Sequence, residues 1–76
     1  MNDLLTILKT IRPESDFAGS GDFIEDGLLD SFDVVTLVGT LDKTYHVSIS
    51  GVDIVPENFK NLETIAALLR KCGAQP

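Results

Sequence analysis

The sequence predicts an all-α fold, a small four-helix bundle of three longer helices and one short helix. Apolar residues recur every three to four positions in three separate segments, residues that cap helices stand at the segment ends, and the one alternating stretch is too short and too isolated to pair as a strand. With 76 residues, the chain has length for a single domain, residues 1–76, burying about 60% of its unfolded surface.

The first periodic segment begins near Asn2, where Leu4, Ile7, Leu8 and Ile11 share a face. It stops at Pro13, because the residue before a proline is pushed out of the α region. Glu14 to Gly27 mixes acids with Gly19, Ser20 and Gly21 and reads as a long loop pinned by Phe17, Phe23 and Ile24. The second helix is expected from Ser31: Asp30 offers an N-cap acceptor, Asp33 adds charge to the first turn, and Leu29 with Val34 has hydrophobic-staple spacing. Val34, Val35, Leu37, Val38, Leu41 and Tyr45 then form a broad stripe, which predicts the most buried helix of the domain. Gly39 within it costs roughly 1 kcal/mol relative to alanine and either permits a close approach or is simply tolerated. Val52 to Phe59 holds Pro56, which suits the first turn of the short helix. Asn61 caps a last helix carrying Leu62, Ile65, Ala66, Leu68 and Leu69, and Gly73 stops it.

Twelve acids against six Lys and Arg leave a net charge of −6, which repels nucleic acid and anionic membrane surfaces and suits basic protein surfaces. Eight of the acids lie between Glu14 and Asp42, a stretch with no Lys or Arg, and mark an electronegative face. The lone Cys72 forms no internal disulfide, the opening residues lack the basic region of a signal peptide, and no apolar run approaches membrane-spanning length. The expectation is a cytoplasmic, monomeric protein without a metal site. The run from Asp16 fails as an EF-hand loop, with Ala18 and Ser20 where ligands are needed. His46 has no carboxylate or thiol at ligand spacing.

Function has to come from a site, because small helical bundles serve many functions. The candidate is Asp30-Ser31-Phe32, where the acidic loop meets the most apolar helix. There the Ser31 hydroxyl lies near unsatisfied first-turn N–H groups, which favour an attached phosphate diester. No general base accompanies Ser31, and a hydrolase would also need an oxyanion hole, so a catalytic residue is not expected and the chain is not read as an enzyme.

The run Gly27-Leu28-Leu29-Asp30-Ser31-Phe32-Asp33-Val34-Val35 resembles the modification site of acyl carrier proteins, and Pro56 to Ile65 looks like their third-to-fourth helix junction. The resemblance implies that Ser31 receives 4'-phosphopantetheine from coenzyme A through a phosphopantetheinyl transferase, and that the arm's thiol bears an acyl group as a thioester. It implies further partners, namely acyl or aminoacyl ligases, synthases and transferases with basic docking surfaces. Asp30, Phe32, Asp33, Val35, Asp42, Asp53 and Glu57 become the expected recognition residues, with Val35 half-buried and Phe32 exposed. Phe32 replaces the more usual leucine, and Thr36, Lys43 and Thr44 stand where fatty-acid carriers are often acidic. These departures leave a specialised carrier as an equal reading to one for fatty-acid or polyketide synthesis.

Two other readings stand beside it. An aminoacyl, D-alanyl or peptidyl carrier would use Ser31 in the same way, although peptidyl carriers tend to show Gly-Gly-His or Gly-Gly-Asp before the serine, not Leu28-Leu29-Asp30. An unmodified acidic helical interaction module would carry no arm.

Overall fold

The structure, a computed structural model, describes residues 2–76, with side-chain environments from residue 4 onward. Its helices are α1 (Asn2–Ile11), α2 (Ser31–Tyr45) and α3 (Leu62–Lys71), with two 3-10 turns, Gly51–Asp53 and Pro56–Asn58, between α2 and α3. No strand occurs among the described residues. The Cα radius of gyration, 11.1 Å, matches the roughly 11 Å of a well-packed chain of this length.

Each helix ends where local chemistry ends it. Asp30 accepts the Asp33 N–H at 2.9 Å while Asp33 accepts the Asp30 N–H at 3.2 Å, a reciprocal capping box at the start of α2. The expected staple partners, Leu29 and Val34, are both buried beside it. α2 stops at His46, whose left-handed backbone (φ 55°) lets the Val47 N–H reach the Asp42 carbonyl at 3.1 Å. Asn61 and Thr64 form a second capping box on α3. Gly73, at φ 96°, then turns the chain so that the Ala74 N–H bonds the Leu69 carbonyl at 2.8 Å.

One core draws on every part of the chain: Leu4 and Leu8 from α1, Leu37 and Leu41 from α2, Ile65 and Leu69 from α3, and Phe59 from the preceding connection. The long loop is pinned as expected by Phe17 and Phe23, whose rings meet edge-to-face at 5.1 Å and 85° in the core, while Ile24 packs half-buried at its margin. A further tie is the Phe23 N–H, which donates to the Lys60 carbonyl. No helix among the described residues is long and apolar enough to cross a membrane.

The short fourth helix is replaced by the two 3-10 turns. Val55, held extended (φ −128°, ψ 152°) before Pro56, separates them, and Pro56 opens the second turn. A β-branched residue ahead of a proline has little access to helical backbone, so the segment breaks where a continuous helix would have had to run. The Asn58 amide donates to the Asp53 carbonyl at 2.7 Å and ties the turns together.

Candidate functional site

The approach to Ser31 is built by a tight turn. Asp22 accepts the Ile24 and Glu25 N–H groups at 3.0 Å each, Gly27 takes a positive φ of 75°, and the Leu28 and Leu29 N–H groups both return to the Phe23 carbonyl. Gly27 supplies the conformation that a side chain would resist. The chain thus enters α2 from a fixed direction, anchored by buried Leu29.

Ser31 is the first residue of α2 and is exposed. Asp30 takes the Asp33 N–H with its side chain and the Val34 N–H with its carbonyl. The helix-end donors left beside the serine are therefore those of Ser31 and Phe32. Asp30's own carboxylate stands against any anion there, so the helix end alone exerts only a weak pull on a phosphate. His46 lies at the opposite end of α2, about 22 Å along the axis. The chain's one histidine is thus at the far end of the helix, and the Ser31 hydroxyl stands exposed between Asp30 and Phe32, both also exposed.

Beside Ser31 a cleft of about 490 Å³ runs between the loop, α2 and the 3-10 turns. Ile24, Leu29, Val34, Val35, Ile54 and Pro56 give it apolar walls. Ile54 and Val55 were not among the expected site residues; their signal in the sequence is the apolar pair Ile54-Val55 directly before Pro56.

The remaining expected residues fall into two groups. Asp30, Ser31, Phe32 and Val35 cluster on the surface, with Phe32 78% exposed. Val35, expected to be half-buried, is 65% exposed, because the inward stripe of the helix is already taken by Val34, Leu37, Val38 and Leu41 and Val35 lies outside it. Glu57 is exposed on the second 3-10 turn.

The other three acids are committed to the fold. Asp33 is only 8% exposed, and its carboxylate accepts from Arg12 Nη1 at 2.6 Å. Burial pushes its carboxyl upward, but the Asp30 N–H and the Arg12 guanidinium outweigh that and hold it below the usual aspartate value. Asp42 is half-buried and accepts the Ile49 N–H at 3.0 Å. Asp53 pairs with Lys71 at 2.9 Å, bracing the first 3-10 turn against α3. Arg12 had no place in the sequence reading, yet it spans Glu14 at 2.8 Å and Asp33. Among the described residues, no group of three or more His, Cys, Asp or Glu side chains could hold a metal ion.

Comparison with protein-family models, with curated proteins and with solved structures finds no match for this chain.

Proposed function

We propose that this chain is an acyl carrier protein, with 4'-phosphopantetheine on Ser31 and acyl groups held as thioesters on the arm's terminal thiol. The observation that carries the proposal is an exposed Ser31 hydroxyl at the first position of α2, inside a run that resembles the modification site of such carriers. In this reading the three helices and paired 3-10 turns are a carrier-type bundle, with the turns standing in for the short helix.

The chemistry asks little of the carrier. A phosphopantetheinyl transferase would direct the Ser31 oxygen at the pyrophosphate of coenzyme A. A phosphorus–oxygen bond to serine forms, the bond within the pyrophosphate breaks, adenosine bisphosphate leaves, and the serine proton passes to a base of the transferase. That division of labour asks no general base of the carrier itself. Once attached, the arm keeps its cargo at high effective concentration for each cytoplasmic enzyme it visits. The apolar cleft beside Ser31 is large enough to shelter part of the arm or its cargo.

A second reading, an aminoacyl or D-alanyl carrier loaded by an adenylating ligase, is favoured by the outer face of α2, which carries Lys43 and no exposed carboxylate and so departs from the acidic helix usual in fatty-acid carriers. The test common to both is intact mass after incubation with coenzyme A, magnesium and a broad-specificity transferase. The wild type should gain one phosphopantetheinyl group and Ser31→Ala none. Failure of the folded wild type to react would leave the unmodified acidic module as the better account.

A further inference from the structure

We infer that the enzyme acting at Ser31 grips α2 through an uncharged, apolar recess that receives Phe32 and Val35, and makes no ion pairs with acids along the helix. The inference rests on the carrier reading of Ser31 and concerns how that site is recognised.

The outer face of α2 presents Phe32, Val35, Thr36, Gly39 and Lys43, all exposed. Their spacing of three, four, seven and eleven residues from Phe32 places them in one stripe. In a protein of net charge −6, that stripe carries no carboxylate. The helix has two acids, and the fold uses both: Asp33 is buried against Arg12, and Asp42 holds the Ile49 N–H. The only exposed charge on the stripe is the cation of Lys43.

The polar groups of this face are occupied as well. The Thr36 hydroxyl donates to the Phe32 carbonyl at 3.2 Å, and the Thr40 hydroxyl donates to the Thr36 carbonyl at 3.0 Å. At Gly39 an added Cβ would meet nothing within 4 Å, so the helix surface is open to close approach. The stripe therefore offers apolar area, two hydroxyls with their protons engaged, and one shallow spot.

What covers the stripe follows from its position. Ser31 immediately precedes Phe32, and Val35 lines the same cleft as Ser31. An active site that reaches the serine oxygen approaches along the surface that both side chains share. A phenylalanine and a valine this exposed are costly to leave in water unless a partner buries them. The exposed acids Glu25, Asp26 and Asp30 lie on the loop side of Ser31, at the rim of that contact, where charge steers approach more than it sets affinity.

The test is steady-state kinetics of phosphopantetheine transfer by a broad-specificity transferase, with coenzyme A saturating and the carrier varied. Phe32→Ser should raise the carrier KM about tenfold or more and leave kcat within about twofold, since docking is lost without change to the chemistry. Thr36→Glu should also raise KM by about threefold or more, because it places an unpaired charge against an apolar recess. Raising NaCl from about 50 to about 500 mM should change the wild-type KM by less than about threefold. Thermal melting of each variant shows that the exposed substitutions leave the fold intact.

A lower KM for Thr36→Glu, or a Phe32→Ser KM within about twofold of wild type with a strong salt dependence, would overturn the inference in favour of a basic docking surface. A concentration-dependent dimer that Phe32→Ser abolishes would overturn it by assigning the face to a second copy of the chain. Absence of any transfer to the folded wild type would instead remove the carrier reading itself.

Discussion

Arg12 Nη1 donates to Asp33 Oδ2 at 2.6 Å, joining the residue just past α1 to the first turn of α2 across 21 positions of sequence. The same carboxylate oxygen accepts the Asp30 N–H, so the guanidinium, the capping box and the entry to Ser31 form one hydrogen-bonded unit. The long acidic loop is thereby closed at its base, and Ser31 is held at a fixed place relative to the core.

This unit predicts a pH dependence. The Asp33 carboxyl lies below its ordinary value in the folded chain, so the unfolded state binds its proton more readily. Its contribution is complete above the unfolded aspartate pKa of about 3.9 and is lost as pH falls through the lowered folded value. At neutral pH, Asp33→Asn should lower the melting temperature by about 4–8 °C, as expected for a lost charged cap of about 1 kcal/mol in a domain of this size. Wild type and variant should converge as pH falls through that lowered value. A constant difference from pH 7 down to acid would contradict the assignment.

Asp42 predicts a loss of stability that surface acids do not show. Its carboxylate accepts the N–H of buried Ile49, and its carbonyl receives the N–H groups of His46 and Val47. Asp42→Ala strands the Ile49 N–H and should cost about 1–2 kcal/mol by urea unfolding. Exposed Glu57→Ala, which touches no such group, should change stability by less than about 0.5 kcal/mol.

Two helix ends predict opposite responses to changes at left-handed positions. His46 has a side chain at φ 55°, whereas Gly73 has none at φ 96°. Gly73→Ala should destabilise by about 1 kcal/mol, because alanine resists that conformation. His46→Gly relieves the same strain but frees the unfolded backbone, so a gain of less than about 1 kcal/mol is expected. Paired denaturant titrations read both signs directly.

Much of this architecture is written locally in the sequence. Asp30, Asn61, Pro13 and Gly73 delimit helices because capping and proline sterics act over three or four residues. The pinning of the loop by Phe17 and Phe23 was legible because isolated aromatics in a polar stretch have few other places to go. The replacement of the short helix was less legible, although Val55 before Pro56 contains its cause. The Arg12–Asp33 pair was not legible, since it depends on where a loop of more than a dozen residues returns the chain. The fold contacts of Asp33, Asp42 and Asp53, expected as recognition residues, were hidden for the same reason, and Val35 read as half-buried because its helix carries more apolar residues than the small core can cover.

The most direct test of the central claim is to locate the modification by fragmenting the peptides of transferase-treated protein. The chain has five serines, Ser15, Ser20, Ser31, Ser48 and Ser50, and the account predicts one phosphopantetheinyl group, on Ser31 alone, and none on any serine of Ser31→Ala. A group found on another serine, or a folded wild-type chain that accepts none, would contradict it.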